Sequence, residues 1–179
     1  MGRLLSFPIL LIVVTIFLQI SNSMSSSLIH KTCKSTIDKK FCIDTLDSDP
    51  RTANADLVSL ANISLDLTLR NATDTREYIS HLLENATDPV MKKWLNGCLK
   101  SYGGALAGIR DASRDIASKD YESMVHSIQI GGSQPLICEQ SFGEKGHKSP
   151  LNHRNNDVNR LSNIVGAIAS ILMPPDRDD

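Results

Sequence analysis

Few residues in this sequence have the types and spacings that would do chemistry. The five histidines are scattered, and no two have the spacing of metal ligands on one helix face. The chain has no phosphate-binding glycine loop and no nucleophile elbow. Its carboxylates are spread along polar stretches, where solvent surrounds them. We therefore predict no catalytic residue, no metal site and no cofactor; the histidines are His30, His81, His126, His147 and His153.

The four cysteines are better explained by disulfides than by nucleophilic chemistry. They are Cys33, Cys42, Cys98 and Cys138, and all follow a segment that resembles a secretion signal. Four cysteines can pair in three ways. If a long helix turns back near residue 118, midway between Cys98 and Cys138, those two cysteines come level on neighbouring helices. This geometry favours Cys98–Cys138, which leaves Cys33–Cys42 as a local pair.

The beginning of the chain has the pattern of a secretory signal peptide. Met1-Gly2-Arg3 precedes an apolar run over residues 4–20, and small residues follow at 21–23. A membrane anchor is the alternative, but the run is short for a span and no basic residues follow it. We predict a signal peptide over residues 1–23 and a secreted protein of the extracellular space or cell wall, with the vacuole as a second destination.

Charge and composition exclude one further class of partner. Without Arg3, 18 of the 19 basic residues remain against 20 acidic residues, a formal charge of −2. The chain lacks the combination of a basic stripe and an aromatic platform that indicates nucleic-acid binding. We expect no nucleic-acid partner and, once the signal is removed, no membrane association.

The clearest structural pattern lies between residues 88 and 118. Apolar residues recur there at spacings of three and four, which predicts an amphipathic helix with one broad buried face. Asp88 can cap this helix, and Pro89 suits its first position. Trp94 lies on the apolar side, so we expect it to be buried. The other residues of the stripe are Met91, Leu95, Cys98, Tyr102, Ala105, Ile109, Ala112 and Ile116.

Similar spacing predicts the remaining helices. Residues 28–46 suggest two short helices that form a hairpin, and longer helices are expected at about 52–83, from about 118, and at about 155–172. Asp74 and Glu77 form a candidate capping box within the first long helix. The helix that starts near residue 118 is expected to break before Cys138, because it contains Gly131, Gly132 and Pro135.

These elements predict an all-α protein with two disulfides. An N-terminal helical hairpin (24–51) precedes an up-down-up-down four-helix bundle (52–173), and a disordered tail (174–179) ends the chain. Three Asn-x-Ser/Thr sequons are candidate glycosylation sites, at Asn62, Asn71 and Asn85.

The order of several short motifs resembles the plant invertase/pectin methylesterase inhibitor family over residues 31–173. Within that family the chain is most similar to the pollen-allergen-like proteins labelled invertase inhibitors. The resemblance rests on Thr32-Cys33, Phe41-Cys42, Leu46, Asp49-Pro50, Trp94-Leu95, Cys98, Lys119-Asp120-Tyr121, Cys138-Glu139, Phe142, Lys148-Ser149-Pro150 and Leu161-Ser162-Asn163-Ile164.

The resemblance implies a monomeric inhibitor that docks non-covalently on a carbohydrate-active enzyme, without a cofactor. Invertase-directed members carry Pro-Lys-Phe near the turn between the second and third bundle helices, and this tripeptide inserts toward the target's carboxylates. Here the turn contains no proline, so the target remains either invertase or pectin methylesterase. The corresponding target-binding candidates are Ser118, Lys119, Asp120, Tyr121 and Glu122.

Two other functions remain open on the residues alone. One is a secreted structural, signalling or allergen-like bundle that inhibits nothing. The other is an enzyme, which the absence of a catalytic constellation makes the weakest of the three.

Overall fold

The computed structural model describes residues 26–143 and 147–174. The predicted signal peptide, and the predicted tail beyond Pro174, lie outside these residues. The described residues form helices and no strands, and none of these helices has the length and apolar character needed to cross a membrane. The elements are α1 (residues 26–33), α2 (Lys39–Asp47), a short 3-10 helix (Pro50–Asn54), α3 (Leu57–Asn85), α4 (Pro89–Ala117), α5 (Tyr121–Gly143) and α6 (Asn152–Leu172).

Helices α3 to α6 form the predicted four-helix bundle. Each of α4 and α6 packs against both α3 and α5, so α3 and α5 lie on opposite corners. The short connections between successive helices make neighbours antiparallel, which confirms the all-α fold expected from the apolar spacing.

Helix α4 follows its sequence pattern closely. The Asp88 carboxylate accepts hydrogen bonds from the backbone N–H groups of Val90 (3.1 Å) and Met91 (3.2 Å), which caps the helix as expected. Trp94 is 9% exposed and packs against Phe142, with 5.4 Å between ring centroids. The expected burial of Trp94 is confirmed.

Helix α5 does not break where the sequence predicted. It runs without interruption from Tyr121 to Gly143, with Pro135 inside it. The glycines serve close packing instead: a Cβ added at Gly108 of α4 would lie 2.7 Å from the Gly131 nitrogen, and one at Gly132 would lie 2.6 Å from Ser162 Cβ of α6. Contact with both neighbours keeps this segment helical, so the predicted break was wrong.

The start of α3 also differs from the prediction. The helix begins at Leu57, with the Asp56 carboxylate accepting the Ser59 backbone N–H at 2.7 Å, whereas Thr52 belongs to the 3-10 helix. Asp74 and Glu77 lie inside α3, so the capping box predicted there was wrong.

Two disulfides join the pairs that the sequence geometry favoured. Cys33 and Cys42 close the N-terminal hairpin, with 5.5 Å between their Cα atoms. Cys98 and Cys138 connect α4 to α5, with 4.6 Å between their Cα atoms. The second bridge lies at the opposite end of this helix pair from the α4–α5 turn. It therefore fixes the register of the two helices that present the turn.

Candidate functional site

The candidate target-binding residues lie at one end of the bundle, where α4 ends and α5 begins. We call residues 118–122 the tip. Ser118, Lys119, Asp120 and Glu122 are exposed, whereas Tyr121 is half-buried and packs against the hydrophobic core. The structure therefore brings the five predicted residues together on one short segment.

The end of α4 places Lys119 in an unusual backbone conformation. Its φ angle is 59°, in the left-handed region, and it is the single non-glycine residue with positive φ among those described. Its N–H donates to the Ile116 carbonyl (3.1 Å), and the Asp120 N–H donates to the Asp115 carbonyl (2.9 Å). This is a Schellman motif, whose left-handed position is usually glycine. A lysine there carries a conformational cost of about 1–3 kcal/mol.

The Asp120 side chain caps the start of α5. Its carboxylate accepts the Ser123 backbone N–H at 3.0 Å. This hydrogen bond lowers the pKa of Asp120 below its ordinary value, so the carboxylate stays ionised in mildly acidic solution. Nearby, the Ser127 hydroxyl donates to the Asp115 carboxylate at 2.7 Å, which links α5 to α4 beneath the tip. These contacts make the tip a fixed turn.

A shallow depression of about 660 Å³ lies beside the tip. Residues from the tip, from α5 and from the end of α6 line it together. The Lys119 ammonium is exposed and forms no ion pair with any described residue. The lining residues are Lys119, Asp120, Tyr121, Glu122, Val125, His126, Gln129, Met173 and Pro174.

This arrangement suits binding better than catalysis. The tip presents a cation, a partly exposed aromatic ring, a carboxylate already used as a cap and the exposed carboxylate of Glu122. Among the described residues, no group of three His, Cys, Asp or Glu side chains could hold a metal ion. Sequence reasoning did not find the left-handed conformation of Lys119, because no glycine marks the end of α4. It also did not place His126 and Met173 beside the tip, because their proximity depends on how α5 and α6 pack.

The three predicted glycosylation sequons all lie on α3. Asn62 and Asn85 are exposed, and Asn71 is half-buried. Each side-chain amide donates to the carbonyl four residues earlier, at 2.8–3.1 Å. Since α3 and α5 occupy opposite corners of the bundle, a glycan on α3 would leave the α5 side uncovered.

Comparison with known proteins gives a consistent result. A family model described as plant invertase/pectin methylesterase inhibitor matches residues 27–168. The chain is 32% identical over 154 residues to a cell wall/vacuolar inhibitor of fructosidase 2 of Arabidopsis thaliana, covering 85% of each chain. It is 30% identical over 146 residues to a pectinesterase inhibitor of Actinidia deliciosa, covering 81% of this chain and 79% of that protein.

A solved structure shows the same fold at lower sequence identity. The crystal structure of a mutant pectin methylesterase inhibitor from Arabidopsis superposes with a TM-score of 0.72 at 22% identity, covering 79% of this chain and 94% of that one.

Proposed function

The chain belongs to the plant invertase/pectin methylesterase inhibitor family, and from this premise we propose that it inhibits an invertase by docking its tip into the enzyme's active-site cleft. The inhibitor acts as a monomer and without covalent chemistry. Its two disulfides suit a secreted protein, and its relative from Arabidopsis thaliana is described as a cell wall/vacuolar inhibitor.

The observation that carries this proposal is the left-handed, unpaired Lys119 at the end of a rigid helix pair. Residues held in a costly backbone conformation concentrate at functional sites, because the surrounding structure must maintain them. Here the Schellman hydrogen bonds and the Asp120 cap maintain it. The result is an ammonium presented at the extreme end of the bundle, where it forms no ion pair with a described carboxylate.

The chemistry of the target complements this ammonium. Glycosidases act through a pair of carboxylates that flank the scissile bond. A cation held at the end of a bundle can enter such a cleft, whereas the broad sides of the bundle cannot. Tyr121 packs against the core and supports the turn, while its exposed part can contact the rim of the cleft.

Inhibition assays with a charge-reversed tip test the proposal. Purified protein is mixed with acid invertase and, separately, with pectin methylesterase between pH 4 and 8. Lys119→Glu should weaken inhibition of invertase by about 1–3 kcal/mol, because it replaces an attraction to buried carboxylates with repulsion. Lys34→Glu, an equal charge change on the exposed hairpin, is the control and should inhibit like the parent.

Two outcomes would contradict tip docking. Full inhibition of invertase by Lys119→Glu, with unchanged helical circular dichroism, would exclude this lysine as the anchor. Inhibition of pectin methylesterase alone would favour docking through the outer helix faces.

A further inference from the structure

The outward face of α4 carries a net positive charge over most of its length. Between residues 89 and 110 the helix contains no acidic residue and four basic ones, all of them exposed. Lys93 and Lys100 are seven residues apart, so they lie on the same side of the helix about 10 Å from each other. Arg110 lies about 15 Å further along. The four cations are Lys92, Lys93, Lys100 and Arg110.

None of these four cations is neutralised by the part of the chain that the structure describes. The ion pairs found there involve other residues, and the first acidic residue of α4, Asp111, is paired with Arg114. The chain as a whole carries a formal charge of −1, so this face is a local departure from the overall balance. A row of unpaired cations on one helix attracts a polyanion.

Two glycines on the same stretch are not explained by packing against the residues that the structure describes. A Cβ added at Gly97 or Gly103 would meet none of their atoms within 4 Å, in contrast to Gly108. A glycine in a helix interior is destabilising relative to alanine. Glycine without a packing reason is expected where another molecule must approach the backbone closely. These glycines lie on either side of Lys100.

We propose that this basic face of α4 binds a linear carboxylated polysaccharide, such as polygalacturonate. The lysines and Arg110 pair with carboxylates spaced along the polymer, and sugar rings lie against the helix at Gly97 and Gly103. Neighbouring Asn96 offers an amide oxygen to the sugar hydroxyls, since its nitrogen already donates to the Lys92 carbonyl at 2.8 Å.

Other polyanions fit this face less well. Single-stranded nucleic acids bind through aromatic side chains on which bases stack, and the exposed face between Lys93 and Arg110 contains none. Binding in a membrane surface requires several large apolar side chains beside the cations, whereas between residues 89 and 110 Val90, at the start of α4, is the one large apolar residue that is exposed. The proposal is independent of enzyme inhibition, because the tip and this face are separate surfaces.

Binding of the full-length secreted protein to immobilised polygalacturonate tests the proposal. The parent should bind at low ionic strength, weaken as salt increases, and not bind the fully methyl-esterified polymer. Lys93→Gln/Lys100→Gln should reduce affinity at least tenfold. Lys31→Gln/Lys34→Gln makes the same change in net charge on the hairpin and should bind like the parent. Absence of parental binding, or equal loss in both double variants, would overturn the proposal.

Replacing the two glycines provides a second test, in which stability should rise while affinity falls. In Gly97→Gln/Gly103→Gln, good helix formers replace poor ones, so the melting temperature should rise. The new side chains should nevertheless reduce affinity for polygalacturonate about tenfold by keeping the polymer from the backbone. Unchanged affinity in this stabilised variant would exclude close approach at α4.

Discussion

The N-terminal hairpin and the four-helix bundle are each closed by one disulfide and share one hydrophobic core, but their remaining contacts differ in kind. In the bundle, glycines let α4, α5 and α6 approach closely, and large side chains fill the remaining space. The hairpin is attached to α6 through Arg160, which forms an ion pair with Asp38 at 3.0 Å and lies 4.1 Å above the Phe41 ring. The bundle thus depends on close helix packing throughout, whereas the hairpin combines a few buried residues, among them Ile29 and Leu46, with polar contacts at the surface of α6.

This difference indicates which region tolerates change. Polar contacts at a partly exposed surface contribute little each, and they respond to pH. Close-packed cores lose stability with any change in volume. The bundle therefore provides a rigid support for the tip, and the hairpin is the part that should open first.

The largest effect is expected for Trp94→Ala in the bundle. The indole is 9% exposed and packs against Phe142 and His147, with ring centroids 5.4 and 4.9 Å away. Its truncation should lower the free energy of unfolding by about 3–5 kcal/mol, measured by chemical denaturation. If the variant unfolded like the parent, Trp94 would have to lie outside the core.

Gly108→Ala should destabilise the bundle by about 1–3 kcal/mol, because it forces overpacking between helices. The added Cβ would lie within 2.9 Å of backbone atoms of Ser127 and Gly131, which cannot move without separating α4 from α5. Gly103→Ala, on the open side of the same helix, is the matched control. Thermal melting should show opposite shifts for the two variants, and shifts of equal sign would contradict the close contact.

Arg160→Gln should loosen the hairpin and leave the bundle intact. The side chain is 28% exposed and also pairs with Asp157 at 2.5 Å, so we expect a loss of about 1 kcal/mol. Amide hydrogen exchange should accelerate in residues 28–47 and remain unchanged in α4. Arg70→Gln, which removes an exposed ion pair with Asp66, is the control and should change neither region. Uniform acceleration would show that the hairpin and the bundle unfold together.

Lowering the pH should produce the smallest effect on stability, and this effect should also appear in the hairpin. The Phe41 backbone N–H, and then the Arg160 side chain, lower the pKa of Asp38 below its ordinary value of 3.8. A lowered carboxyl pKa contributes stability above the unfolded-state value, and this is lost as pH falls through the folded value. The rate of amide hydrogen exchange in the hairpin, corrected for the intrinsic exchange rate at each pH, should therefore be constant from pH 7 to 5 and rise below about pH 4. Asp38→Asn should remove that rise.

Most of the fold could be predicted from the sequence, and the main error, the break predicted in α5, has a physical cause. The stripe of α4 and its Asp88 cap depend on residues close in the sequence, so both can be predicted from it. Helix α5 cannot be predicted in this way, because contacts with Gly108 and Ser162 on other helices override the low helix propensity of Gly131, Gly132 and Pro135. Tertiary packing decides such segments.

The candidate site was predictable only in part. The turn between α4 and α5 could be located near residue 118, because the apolar stripe of α4 ends there. The left-handed conformation of Lys119 could not be predicted, because helix ends of this kind usually carry glycine. The two open glycines of α4 were also missed, since their lack of packing partners is visible only once the helices are assembled.

The composition of α5 has a consequence for the order in which the molecule forms. A segment with two glycines and an internal proline has little tendency to be helical alone, and most helical stability in proteins comes from tertiary packing of the apolar face. Helix α5 therefore requires the surfaces of α4 and α6 as a template and should be largely unstructured in the folding transition state. Substitutions in α5 should consequently accelerate unfolding and leave the folding rate nearly unchanged.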